Sequence, residues 1–490
     1  MKKSLTPVFF LAVLLVFICL DIYASNVKNV STIDAYLLNN VDDIFHYCYA
    51  KTATIDPLAV LNPYAKLLPT LIQALILKFC FLNIIFLRFL NSVISTGTLI
   101  LLYAYCRDLG FNKNESLFIS FITFISPLYF LSSLSSIAEP LFCFLLTLSV
   151  ILWHRRKMFW FSLVVGLCAA THQVGILYVL GVSAYFAVRK RYLLAGVSLI
   201  PVSAWVAMNS LILKHSLWFT FFYSQLIAPH HRMPENSLLA FNQVNPSLII
   251  VFVPFLMLFL AGYFDSWKTD KYPLVNLFIL PALLLVLGYN CFSIISERSL
   301  WRELRYLVPI APFLSIVIFN GMRWLGRRIR DVRYERYFFT LLSGILVLCS
   351  LCGIFYLQKD VKVISDRVSL SQEYEIREAA RWLNSYMEEH QYRNLYLLNG
   401  GDTINKYVRR IWMHLDVKNR FYCLTKDFNN NDKIELFDLT TFKFSPPGSY
   451  SGVFLHLSGD FKEAFLSDNL KLKMIKEFPG ISLYFFTVSN

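Results

Sequence analysis

The chain has 490 residues, 56% of them hydrophobic and only 16% charged, whereas a soluble globular domain carries about 25% charged residues. That balance excludes a wholly soluble protein. A formal charge of +14 would suit a nucleic-acid binder in a soluble fold, but Lys and Arg stand in short clusters between apolar runs, the topology signal of a membrane protein. Nucleic acid is therefore not expected as a partner.

In chain order, Met1-Lys2-Lys3 precedes an apolar stretch reaching about Leu20, and the next basic residue is Lys28. A run this long reads as an uncleaved first span rather than a signal peptide. Apolar segments follow at 83–106, 115–134, 138–153, 158–171, 174–188, 193–213, 247–265, 273–294, 305–322 and 337–357, the first being 6–24. The expected fold is thus a polytopic α-helical membrane protein with about 11 transmembrane helices and a small C-terminal extracytoplasmic α/β domain.

Eleven crossings put the chain ends on opposite sides. With Lys2 and Lys3 inside, the inner loops hold Arg107 and Lys113, Arg155-Arg156-Lys157, Arg189-Lys190-Arg191, Lys268 and Lys271, and finally Arg327, Arg328, Arg330, Arg333 and Arg336. Every cluster falls on one side, as the positive-inside rule requires. The segments at 158–171 and 174–188 are short for full spans; they cross twice or dip in and return, and either keeps the parity. Residues 67–82, interrupted by Pro69, Gln73 and Lys78, read as an amphipathic helix on the outer surface.

The membrane domain is expected over 1–357, with a first outer loop at 26–82, and the soluble domain over 358–490. In the latter, 373–390 has helical spacing through Ala379, Ala380, Leu383 and Met387, while 394–398, 452–457 and 481–488 read as strands. The ten cysteines lie mostly in or beside apolar runs, read as small hydrophobes, and show no zinc-ligand spacing. No metal site is expected from them.

The first outer loop carries the most informative residues, Asp42-Asp43-Ile44-Phe45-His46-Tyr47, followed by Asn62-Pro63-Tyr64-Ala65-Lys66. An acid beside a low-dielectric bilayer is a good proton acceptor, and a positioned base is worth roughly 10²–10⁴ in rate. The competing reading makes Asp42 and Asp43 solvated loop acids capping a helix that starts at Ile44.

An acid pair followed by aromatic and small residues, a Lys about twenty residues on before a Pro-containing amphipathic helix, and Phe86-Leu87-Arg88-Phe89-Leu90-Asn91-Ser92 together resemble the GT-C superfamily of polyprenyl-phosphate-sugar-dependent glycosyltransferases. That group includes protein O-mannosyltransferases and the lipid A aminoarabinose transferase. The likeness covers roughly the first 200 residues, with an echo at Arg305-Tyr306-Leu307-Val308-Pro309. It implies Asp42 as the catalytic acid of the pair, Asp43 as its neighbour, and Lys66 near the donor phosphate. His46 departs from the Tyr or Arg of many relatives, and Ala65-Lys66-Leu67-Leu68-Pro69 departs from their Glu-Lys-Pro.

The chemistry agrees. A sugar on a polyprenyl phosphate already has a good leaving group, so transfer needs one base for the acceptor hydroxyl and cations for the departing phosphate. Lys66, Arg298, Arg302 and Arg305 are the candidate cations, the three arginines sharing one helical register. Their other reading is anchoring to lipid headgroups. His46, Glu139, His172 and Tyr306 complete the set as substrate-binding candidates; Glu139 beside Pro140 also suits a helix cap. No cofactor is required, although Asp42 and Asp43 could hold a divalent cation.

The expected activity is inverting transfer of a sugar from a polyprenyl-phosphate donor to a lipid, glycan or protein acceptor, on the outer face of a bacterial inner membrane. The alternatives are an O-antigen-type polymerase or ligase, which leans on late-loop Arg and His, and a transporter. A transporter predicts a repeat and mid-span acids.

Overall fold

The computed structural model describes residues 5–26, 41–54, 57–61, 66–80, 85–135, 138–212, 246–269, 305–328, 332–364, 370–391, 394–398, 420–426, 434–438, 443–444, 450–457, 470–478 and 481–488. The chain divides into two compact units. The first comprises Met1–Asn26, Ile85–Ala207 and Leu217–Ile364; the second comprises Val27–Ile84, Met208–Ser216 and Ser365–Asn490. The first outer loop therefore clusters with the C-terminal stretch, a division that sequence continuity did not suggest.

The first unit is helical: α1 (Leu5–Asn26), α4 (Ile85–Asp108), α5 (Lys113–Ile125), α6 (Pro127–Ser133), α7 (Glu139–His154), α8 (Met158–Thr171), α9 (Gln173–Val188), α10 (Tyr192–Ile212), α11 (Pro246–Thr269), a 3-10 segment (Arg305–Ile310) leading into α12 (Ala311–Gly326), and α13 (Val332–Ile364). The second contains α2 (Val41–Ala53) and α3 (Leu67–Phe79). Helices fall on ten of the apolar segments read from sequence; 273–294 lies outside the described residues. The chain is a helical membrane protein. Among the described residues four helices are long and apolar enough to cross a bilayer, or five if a bent pair is one span.

The bent pair is α5 and α6, which meet at 72°. Ser126 before Pro127 has φ −57° and ψ 123°, because a proline ring clashes with a preceding residue in the α conformation. Helices α8 and α9 have 14 and 16 residues, about 21 and 24 Å at 1.5 Å per residue. Each falls short of the roughly 30 Å hydrocarbon core.

The core of the first unit joins Leu102, Tyr105 and Cys106 of α4, Ile119 and Ile122 of α5, Leu146 and Val150 of α7, and Phe313, Ile316, Val317 and Met322 of α12. At the α11–α12 crossing the backbones touch: a Cβ on Gly262 would meet the Val317 carbonyl, and one on Gly321 the Leu258 carbonyl. Only glycine permits that approach. Apolar residues such as Leu193, Leu211, Met257 and Leu348 stand exposed on these helices, as lipid-facing surfaces do.

In the second unit, α14 (Leu370–Glu389) buries Ala379, Ala380, Leu383 and Met387 on one stripe. Seven strands, β1 (Asn394–Leu398), β2 (Arg420–Lys426), β3 (Ile434–Asp438), β4 (Lys443–Phe444), β5 (Tyr450–Leu457), β6 (Leu470–Phe478) and β7 (Ile481–Val488), form one sheet in the order β4-β3-β2-β1-β5-β7-β6. Strand β1 pairs in parallel with β2 and β5, and the other pairings are antiparallel. The helix and three strands read from sequence are present, with further strands at 420–426, 434–438, 443–444 and 470–478.

Candidate functional site

One end of the helical unit holds a buried polar layer. Near the end of α1, Asp21 is fully buried and accepts a hydrogen bond from the Ser92 hydroxyl at 2.8 Å. Arg88, one turn earlier on α4, is 1% exposed and lies within electrostatic range of that carboxylate. Asn91 donates from Nδ2 to the Ser135 carbonyl at 2.6 Å, and Tyr129 donates its hydroxyl to the Ser95 carbonyl at 2.6 Å.

The next piece joins two residues 33 positions apart. His172 Nε2 stands 4.0 Å from Glu139 Oε1, with both side chains buried. The gap is too long for a direct hydrogen bond, and it becomes an ion pair when the ring is protonated. The imidazole stacks on Phe142 at 5.1 Å and 17°. Extended backbone at His172, φ −150° and ψ 145°, separates α8 from α9, and its Nδ1 accepts from the Val174 amide at 3.3 Å. The tight return requires glycine at 175, where a Cβ would strike the Cys168 carbonyl.

Glu139 is the first helical residue of α7, with Pro140 behind it; the cap position belongs to Ala138 and no side-chain cap bond forms, so Glu139 sits in the first turn and faces His172. Arg305 and Tyr306 begin the 3-10 segment, which packs against α7; Cys143, one turn below Glu139, approaches the Pro309 carbonyl with its thiol at 3.7 Å. The Arg-Tyr-Leu-Val-Pro stretch therefore reaches the helix that carries Glu139. Arg298 and Arg302 lie outside the described residues.

The first-loop candidates belong to the second unit. Helix α2 starts at Val41, not Ile44, and so takes Asp42 and Asp43 into its first turn, where the positive end of the helix dipole favours carboxylates. Consecutive helical positions are separated by about 100°. Tyr47 and Lys51, four positions apart, therefore share a face. Tyr47 and Lys51 are both buried, with the ammonium 5.9 Å from the ring centre. Burial pushes the Tyr47 phenol well above its usual range and keeps it neutral. The helix packs against α3 and the 3-10 segment Pro57–Leu61.

Lys66 precedes α3 with φ 65° and ψ 124°, a conformation costly for a residue with a Cβ. It stands at the N-terminus of a 13-residue helix, where backbone N–H groups and the helix dipole favour an anion. Helix α3 buries Thr70, Gln73, Ala74 and Leu77 and exposes Leu71, Leu75 and Phe79 on the opposite stripe.

Several of these residues escaped the sequence reading. Asp21 and Lys51 received no role, and Asn91 and Ser92 were quoted only within a motif. Asp21 could have been found as the one acid inside the first apolar segment, since an ionisable residue in a span is functional by default. No protein-family model matches the chain, and no curated protein matches it.

Proposed function

We propose that this protein is an inverting glycosyltransferase of the GT-C architecture, taking a sugar from a polyprenyl phosphate and passing it to a lipid, glycan or protein acceptor on the outer face of a bacterial inner membrane. In this reading the N-terminus lies in the cytoplasm, about eleven segments cross, and residues 358–490 form an extracytoplasmic α/β domain. The observation that carries this reading is the buried polar layer at one end of the helical unit. There Glu139 and His172 face each other at 4.0 Å, and Arg88 is buried within electrostatic range of Asp21. Buried charge in a membrane protein is expensive and is kept where it serves a site.

In this reading Asp42 removes the acceptor hydroxyl proton, the acceptor oxygen attacks the anomeric carbon from the face opposite the phosphate, and the carbon–oxygen bond to phosphate breaks. The cation that holds the departing phosphate is Lys66, Arg298, Arg302 or Arg305, Arg being suited to bidentate contact. Lys66 at a helix N-terminus with unfavourable backbone geometry fits that duty. His46, Glu139, His172 and Tyr306 bind the sugar and acceptor.

The test is mass spectrometry of envelope glycans and lipids from host cells lacking the gene, complemented with wild type or Asp42→Asn. One sugar mass should vanish and return only with wild type, the variant being slower by about 10²–10⁴. Equal rescue by Asp42→Asn sinks the catalytic assignment. It would favour an O-antigen-type polymerase or ligase, which leans on Arg and His of late loops. Unchanged transfer in chelator removes the divalent cation.

A further inference from the structure

The opposite end of the helical unit holds a feature that sugar transfer does not use. A cavity of about 670 Å³ opens among the start of α5, the end of α12 and the start of α13, its walls including Phe118, Phe319, Phe339, Arg323, Arg327 and Ser343. That size falls within the roughly 300–1,000 Å³ of small-ligand sites.

The two arginines differ in freedom. Arg323 is fixed: it pairs with Glu115 at 2.7 Å and lies over the Phe111 and Phe319 rings at 5.7 and 5.6 Å. Arg327 has a side chain 57% exposed, and its nearest acid oxygen, on Asp265, is 3.9 Å away. Arg328 follows, held over Trp324 at 4.2 Å. Among the described residues, Arg323, Arg327 and Arg328 cluster here against Glu115, which also lines the cavity, and Asp265, which leaves the neighbourhood with one positive charge in excess.

Beside it, α13 turns an apolar stripe outward, with Tyr337 75%, Leu341 65% and Leu348 63% exposed. Tyrosine at the level of the basic residues is the composition of a membrane interface. A cationic cavity with aromatic walls, opening next to a lipid-facing stripe, matches a ligand with an anionic head and an apolar tail.

We propose that this cavity binds the headgroup of an anionic phospholipid from the surrounding leaflet, its phosphate on Arg327 and its acyl chain along Tyr337, Leu341 and Leu348. Basic pockets between helices at the cytoplasmic boundary recognise lipid heads in this way. The proposal rests on the membrane reading and is independent of any transfer activity.

The experiment is native mass spectrometry of the purified full chain, offered equal amounts of dioleoyl phosphatidylglycerol and dioleoyl phosphatidylcholine. Wild type should retain one phosphatidylglycerol in preference, and Arg327→Gln should lower that preference about fivefold, the contribution of one basic residue near an anionic surface. Ser343→Trp should abolish the adduct by filling the cavity with the charges intact, and Arg155→Gln, elsewhere at this end, should leave it unchanged. Absence of preference in wild type, its survival in both cavity variants, or an equal loss with Arg155→Gln overturns the site. Displacement by millimolar inorganic phosphate would make the ligand a free phosphate and overturn the lipid assignment.

Discussion

The two ends of the helical unit spend their charges differently. At one end, Arg155 meets Asp108 at 2.7 Å with side chains 51% and 29% exposed, and Arg323 and Arg327 meet Glu115 and Asp265 in partly open positions. At the other, Asp21, Arg88, Glu139 and His172 are all buried. Exposed pairs contribute about 0–1 kcal/mol because water and salt screen them. Buried charges cost several kcal/mol unless matched. The open end leaves its charges to water and salt, whereas the buried end must match its charges within the protein. The open pairs also tie the ends of α4 to α7 and of α12 to α5 and α11.

The largest effect expected from breaking this contrast is at the buried end. Arg88→Met leaves the Asp21 carboxylate without its guanidinium, and thermal unfolding in detergent should show a loss of about 3–5 kcal/mol. A loss under 1 kcal/mol would mean that the layer is hydrated and the contrast is false. Next, Glu139→Gln keeps the size of the side chain but not its charge. Sugar transfer should fall about 10–100-fold, the equivalent of one hydrogen bond to a charged group, with the melting temperature nearly unchanged. If melting drops while transfer per folded molecule stays, Glu139 acts only on the first turn of α7.

Lys66→Gly should separate strain from function in the second unit. Relief of the positive φ is worth about 1 kcal/mol of stability, and donor affinity should fall with the lost cation; a variant no more stable than wild type refutes the strain. The smallest effect belongs to the open end. Arg155→Gln should change stability by less than about 1 kcal/mol, and that small loss should fade in high salt. A salt-insensitive loss of several kcal/mol would place this pair with the buried ones.

Much of the helical frame was legible in the sequence. Uninterrupted apolar runs have few ways to satisfy their backbone in lipid other than as helices, so segment positions translate directly. The bend at Ser126-Pro127 was equally readable, since proline forbids continuation, yet the segment 115–134 was drawn through it. The start of α2 was placed three residues late because acids signal both a cap and a first turn.

The candidate site was less legible. Glu139 and His172 were singled out separately, one as a cap and one as a hairpin tip, and nothing in their local patterns joins them. Their approach depends on the packing of α7 against α8 and on the glycine at 175 that closes the hairpin. Asp21 was overlooked because one acid near the end of an apolar run barely changes its hydropathy.

By itself the sequence determined the class of protein and the helical segments among the described residues, because these follow from local transfer free energy and backbone satisfaction. Only the tertiary structure decided which polar residues share a layer. Burial of a charge depends on neighbours contributed by distant helices, and the closeness of Asp21 to Ser92, 71 positions away, exists only once α1 packs on α4.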